Sequence, residues 1–170
     1  MTVFKPNTYP SSSALTITLA SLASTTASPP VGRESTEVNQ ATDLADDVLI
    51  DGKITTGTSP TASRRIRIWV WGGAYDGTTV RRPAGVTGSD AGLTPSSDWA
   101  NQLILLHWID TSSTSNQTYS FAGLSLRRAF GGLYLPARWG VFVDHNTGVN
   151  LNSTGSNHEI RYTPLTSQGV

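Results

Sequence analysis

The chain has 170 residues, no cysteine and a net charge of zero, with 12 basic and 12 acidic side chains. This length predicts one domain that can bury its own core. The absence of cysteine excludes disulfides, thiolate zinc sites and cysteine nucleophiles. Charged residues make up 14% of the chain, whereas soluble domains usually have ~25%. Such a surface fits either extensive contact with other protein or a β-surface covered by Ser and Thr.

The N-terminal residues 1–13 are predicted to form an extended arm. Phe4 and Tyr9 are isolated aromatic residues in it, and the arm either frays or becomes ordered on a partner. The N-terminus lacks the charged-then-apolar order of a secretory signal. No stretch reaches ~18 consecutive apolar residues, so no membrane span is predicted. We therefore expect synthesis in the cytoplasm without export.

Short alternating runs follow the arm. Residues 15–19 alternate apolar residues with threonine, which predicts a strand. Residues 31–38 alternate charged and small residues and are predicted to be a strand with one solvated face. Asp51-Gly52 separates two β-prone runs at 47–50 and 53–56. This pattern indicates either a hairpin or one long strand with a bulge at Gly52.

Residues 65–71 are predicted to be a central strand of the sheet. Successive side chains of a strand point to opposite faces. Ile66, Ile68 and Val70 therefore form an aliphatic core face. The opposite face passes from arginine to Trp69 and Trp71, so the end of the strand is expected to be covered on both sides.

Residues 72–101 form the longest irregular region of the sequence. A loop of this length usually binds something or packs as a unit. Within it, residues 96–99 indicate a short helical turn. The next stretch, 103–109, is apolar at alternate and intervening positions and is predicted to be a strand buried on both faces.

The remaining runs complete an all-β pattern. Residues 118–121, 138–145 and 158–162 are predicted strands, and 124–130 is predicted to form one or two helical turns that end at Gly131-Gly132. With eight or nine strands and no long helical period, the pattern predicts a single antiparallel β-sandwich or barrel. We place this domain at residues 14–163 and a C-terminal tail at 164–170.

The chain offers weak signals for catalysis. Asp144-His145 is the best candidate pair, but neighbouring strand residues point to opposite faces. His107 is expected to be a hydrogen-bonded core residue, and His158-Glu159 lacks the second histidine of a metal motif. Asp43, Asp46 and Asp47 fit a solvated turn better than a calcium loop. We predict no catalytic, cofactor or metal residues.

The sequence offers clearer candidates for binding than for catalysis. The paired arginines Arg81 and Arg82 suit salt bridges to an acidic protein better than nucleic acid, because the net charge is zero. Trp69, Trp108 and Trp139 are predicted to be core residues. Trp71 and Trp99 border the long loop and are predicted to be exposed. The candidate partner contacts are Phe4, Tyr9, Trp71, Tyr75, Arg81, Arg82 and Trp99.

Several blocks between residues 33 and 163 resemble small virion proteins of tailed bacteriophages. The blocks are the Trp-bearing strand with Tyr75-Asp76-Gly77-Thr78, and the segments 51–60, 130–132, 138–143, 146–152 and 157–162. The resemblance implies a jelly-roll type of β-sandwich that serves as a capsid cement or decoration protein, often as a homotrimer. Its partners would be the major capsid protein or other virion subunits. The arm lies outside these blocks.

Two other functions remain open. A tail, baseplate or receptor-binding module of the same fold would bind carbohydrate, with Trp71 and Trp99 as the stacking residues. A glycan depolymerase would need two carboxylates that face one cleft, with candidates among Asp76, Asp90, Asp98, Asp110 and Asp144.

Overall fold

The computed structural model describes residues 10–40 and 45–166, which fold into two antiparallel β-sheets packed as a sandwich. Eleven strands are present in these residues: β1 Ser13–Ala14, β2 Gly32–Glu34, β3 Val38–Asn39, β4 Asp47–Thr55, β5 Arg64–Tyr75, β6 Val80–Arg81, β7 Ala91–Leu93, β8 Ile104–Thr111, β9 Thr118–Ser125, β10 Arg138–His145 and β11 Glu159–Leu165. Helix α1 spans Leu126–Ala129, and 3₁₀ turns span Trp99–Asn101 and Gly155–Asn157. The all-β sandwich prediction is confirmed.

The smaller sheet has the strand order β1-β11-β4-β9. The larger sheet has the order β6-β5-β10-β2-β7, with β8 also paired to β5 and β3 also paired to β10. The long pairings of β5 with β10 and with β8 place β5 in the interior of the larger sheet, as its sequence predicts. No helix in residues 10–40 and 45–166 is long and apolar enough to cross a membrane.

The main core lies between the sheets. Ile66, Ile68 and Val70 of β5 are fully buried there and meet Ile50 and Ile160 of the smaller sheet. The opposite face of β5 contributes Trp69 and Trp71 to a second cluster that also includes Leu93, Leu103 and Phe142. The long loop, residues 72–101, is not wholly irregular as predicted, because it begins with the end of β5 and contains β6 and β7. Its Val86, Leu93 and Trp99 pack in this second cluster, so the region covers the outer face of the larger sheet.

Three acidic side chains fasten the long loop. The Glu34 carboxylate is fully buried and accepts hydrogen bonds from Thr87 (N, 3.0 Å; Oγ1, 2.7 Å) and from the Gly88 N–H. Glu37 pairs with Arg82 at 2.6 Å, and Asp90 pairs with Arg33 at 2.6 Å. The predicted solvated face of residues 31–38 is therefore wrong, because the loop supplies donors to Glu34 and Glu37 and an acceptor to Arg33.

Two other strand predictions need correction. Residues 15–19 lie outside the strands, although Leu15 and Leu19 are buried and the intervening residues are more exposed, as their alternation suggests. The predicted strand at 103–109 corresponds to β8, which begins at Ile104 and pairs on one side only, with β5. Its residues Ile104, Leu105 and Trp108 are exposed. Burial on both faces is wrong for β8 because no second strand of the described residues pairs with it.

Other local predictions hold. β4 runs unbroken from Asp47 to Thr55, so the long strand is right and the hairpin is wrong. Its register with β9 shifts between Ile50 and Gly52, which pair with Leu124 and Phe121, so the extra residue of the bulge lies in β9 and not at Gly52. Helix α1 is followed by Gly131 and Gly132, both at positive φ. The residues of the predicted helical turn at 96–99 lead into the 3₁₀ turn Trp99–Asn101. β11 continues to Leu165, past the predicted end of the domain.

Candidate protein-binding groove

A groove of about 810 Å³ collects three of the predicted contact residues. Tyr75, Arg81 and Arg82 line one side of it. The other lining residues are Gly72, Gly73, Ala74, Pro83, Asn101, Gln102, Ile104, Phe130, Tyr134, Leu135, Pro136 and Ala137. The end of β5, the start of β8 and the segment after α1 therefore meet in one open surface.

Glycine allows the segment after α1 to lie directly on β5. A Cβ atom at Gly72 would lie 2.9 Å from Phe130 Cε1 and 3.0 Å from Pro136 Cβ, closer than van der Waals contact allows. Gly131 and Gly132 have φ of 86° and 84°, values that glycine adopts at little steric cost. The chain can thus turn sharply after the helix and place Tyr134 at the rim of the groove.

Large apolar side chains are exposed in and beside the groove. Leu133 is 78% exposed and Tyr134 is 75% exposed, and both belong to the short segment between α1 and β10. Tyr75 and Ile104 are 39% and 36% exposed on the opposite wall. Contiguous exposed apolar residues of this kind mark interaction sites on soluble proteins.

Guanidinium groups give the groove a basic side. Glu37 binds both Arg82 and Arg138, with carboxylate–nitrogen distances of 2.6 and 3.3 Å. The Arg138 guanidinium also stacks 4.7 Å from the Tyr75 ring centroid, which is a cation–π contact. The Glu37 carboxylate thus pairs with two guanidinium groups. Arg81 adds a third guanidinium group, which is exposed. The balance favours an acidic or carbonyl-rich partner segment.

The predicted tryptophans are placed differently from expectation. Trp71 is completely buried beneath the long loop, so its predicted exposure is wrong. Trp99 is half-buried and packs edge-on against Trp69, with ring centroids 5.2 Å apart. Trp108, predicted to be core, is instead 50% exposed beside Arg65. Phe4 and Tyr9 lie outside the described residues.

The Asp144-His145 pair is divided between the two faces of β10, as predicted. The buried Asp144 accepts hydrogen bonds from Trp69 Nε1 at 2.6 Å and from Arg67. Burial raises the pKa of Asp144, while the bonds from Arg67 and Trp69 act in the opposite direction. The side chains of Asp144 and His145 therefore do not share a site.

The histidines make structural contacts or lie at the edge of the sandwich. His145 is buried, with Nδ1 3.0 Å from Thr147 Oγ1 and Nε2 2.9 Å from the Leu22 carbonyl. Burial lowers the pKa of His145 and of His158, mainly by desolvating the charged ring. His107 is only half-buried, so its prediction as a core residue is wrong; its ring lies 6.1 Å from that of Phe121.

Among the described residues, no group of three or more His, Asp or Glu side chains could hold a metal ion. Asp43 lies outside the described residues. Asp47 has a local role, since it accepts hydrogen bonds from Ser125 Oγ at 2.6 Å and from the Arg127 N–H at 2.9 Å at the start of α1.

Sequence reasoning missed Leu133 and Tyr134, the most exposed large apolar residues described. The sequence feature that could have identified them is an aliphatic residue next to an aromatic one between Gly131-Gly132 and Pro136, a short segment that forms no strand or helix to bury them.

Comparison with known proteins identifies no matching family model, no curated relative and no solved structure.

Proposed function

We propose that the chain is a non-enzymatic structural protein of a tailed-bacteriophage virion, and that it acts as a cement protein that binds and stabilises neighbouring capsid subunits. The groove is the observation that carries this proposal. The sequence blocks that resemble small phage virion proteins supply its biological setting. In this role the chain would be made in the host cytoplasm and end in the assembled particle.

Adhesion through the groove has a simple physical basis. Tyr75 and Tyr134 would lose most of their remaining exposed surface beneath a partner segment, and each buried aromatic residue contributes ~1–3 kcal/mol. Arg81 at the rim would bind carboxylates or carbonyl groups of the partner. One such site is weak, but many copies on a capsid lattice raise the avidity well above that of a single contact.

A receptor-binding or tail module that binds carbohydrate is the second candidate. The aromatic rings of Tyr75 and Tyr134, close to arginine donors, favour it. The stacking residues first predicted, Trp71 and Trp99, do not form this surface because Trp71 is buried. A glycan array probed with the full chain would support this candidate if binding is found and is lost in Tyr134→Ala.

Co-sedimentation with gradient-purified particles of the phage that carries the gene tests the cement role. Wild-type protein should sediment with particles stripped of the chain, and Tyr75→Ala with Tyr134→Ala should lower the bound fraction at least tenfold, because both tyrosines line the groove. Val31→Asp is the matched control, because Val31 is 42% exposed and does not line the groove. Failure of the wild type to sediment, or equal loss in the control, would contradict the proposal.

A further inference from the structure

One side of the sandwich ends in two long strands that are open in both sheets. β8 and β9 have eight residues each, and in residues 10–40 and 45–166 each is paired on one side only, to β5 and β4 respectively. The opposite sides end in β1, of two residues, and β7, of three. Natural sheets protect their edges with short strands, charges or bulges. β8 and β9 are long and carry few charges, although each pairing has one register shift, between Ile68 and Trp69 for β5–β8 and between Ile50 and Gly52 for β4–β9.

The open side has the composition of a pairing surface. β9 contains no charged residue, and Asp110 and His107 are the only acidic and basic residues of β8. Leu105 is 37% exposed and Trp108 is 50% exposed on β8, and Ala122 and Gly123 are exposed on β9. Neither strand contains proline or lysine, the residues that most often block an edge.

We propose that β8 and β9 together form a self-association surface, on which a second copy of the chain docks across a two-fold axis and continues both sheets. A two-fold axis normal to the sheets would pair β8 with β8 and β9 with β9 of the second copy, both antiparallel, in one contact. A single extended peptide could complete only one of the two edges. A second copy carries two edges at the same separation, so it satisfies both.

Charged residues lie at both ends of this surface. Arg128 is exposed and lines a cavity with Ile104, Leu105 and Ser125, at the end where β8 begins and β9 finishes. Asp110 lies at the other end of β8, with its side chain 65% exposed and 3.0 Å from the Arg65 guanidinium. Because the two-fold pairing is antiparallel, it would bring Arg128 of one copy to the end that holds the Asp110–Arg65 pair of the other, so strand pairing and apolar contact, rather than charge, would hold the two copies together.

The area is sufficient for a specific dimer. Eight residues at ~3.4 Å each give an edge of ~27 Å, and the two packed sheets lie ~10 Å apart. With side chains, each copy would bury ~500 Å², or ~1,000 Å² in total, which reaches the lower limit of specific interfaces. An isologous contact predicts a dimer, in contrast to the trimer implied by the resemblance. This inference does not depend on the virion role.

Sedimentation velocity of the full chain over a concentration series tests the inference. The wild type should dimerise, and Leu105→Lys with Ala122→Lys should raise the dimer Kd by at least tenfold, because lysine on an edge opposes strand pairing. Val31→Lys should leave the Kd unchanged, since Val31 is exposed and precedes β2 on another part of the sheet. Circular dichroism should show that all variants remain folded.

Amide hydrogen exchange supplies a second readout. Dilution of the wild type through its Kd should increase exchange in β8 and β9 while β1 and β7 stay unchanged. A wild type that is monomeric throughout, a trimer, or a dimer that is insensitive to the edge substitutions would each overturn the inference.

Discussion

The substitution Trp71→Ala tests whether Trp71 stabilises the fold, as its burial indicates, or binds a partner, as the sequence predicted. Trp71 is fully buried in the cluster beneath the long loop. It also packs closely on β10, where a Cβ atom at Gly140 would lie 2.4 Å from Trp71 Cζ2. A buried tryptophan removes ~200 Å² from water, which at ~25 cal/mol per Å² is worth ~5 kcal/mol. We therefore expect Trp71→Ala to cost ~3–5 kcal/mol.

Urea unfolding measures this cost directly. With an m-value of ~2 kcal/mol per molar urea, the midpoint should fall by ~2 M. Trp108→Ala is the matched control, because Trp108 is 50% exposed and should cost about half as much or less. If Trp71→Ala shifted the midpoint no more than Trp108→Ala, the assignment of Trp71 to a second core would be refuted.

Three further predictions follow from buried groups and close contacts. Burial lowers the pKa of His145, so below pH ~6.5 the unfolded chain binds a proton at His145 more readily than the folded chain does. The free energy of unfolding, measured in urea, should therefore fall by up to ~1.4 kcal/mol per pH unit on acidification. This fall should be smaller in His145→Gln. Glu34→Gln removes an acceptor that the long loop uses and should cost ~1–3 kcal/mol, with faster tryptic cleavage after Arg81; unchanged cleavage would contradict the fastening role. Gly52→Ala should lower the thermal midpoint, since its Cβ would lie 2.2 Å from the Glu159 carbonyl, whereas Gly155→Ala, with open space around it, should have little effect. Equal effects would argue against the close approach of β4 and β11.

The sequence predicted local features well where a short period decides the structure. The alternation over residues 65–71 identified the core face of β5, because strand faces depend only on neighbouring positions. Gly52 left a choice between hairpin and bulge. That choice depends on the partner strands β9 and β11, which are far away in sequence.

Exposure was harder to predict because it depends on contacts across the chain. The alternation of side chains correctly placed Trp71 on the outer face of β5. The residues of the strand do not show that a distant loop covers this face. Glu34 looked solvated because its donor, Thr87, is 53 residues away. β8 looked buried because its composition is apolar, and composition does not show that a strand lies at an edge.

The candidate site was predicted in part. Tyr75, Arg81 and Arg82 lie together in the groove, whereas Trp71 belongs to the core. Leu133 and Tyr134 escaped notice because they have no periodic neighbours. Four strands, β1, β3, β6 and β7, were missed or misplaced because two or three residues carry too short a pattern to recognise.

Site-specific photocrosslinking from the groove tests the proposed binding to virion subunits most directly. The chain would carry p-benzoylphenylalanine in place of Tyr134, or of Val31 as the control, and would be irradiated with purified particles of the tailed phage from which the chain is proposed to come. Mass spectrometry should find a crosslink from position 134 to the major capsid protein or another virion subunit, and a much weaker one from position 31. No crosslink from position 134, or equal labelling from both positions, would contradict the proposal.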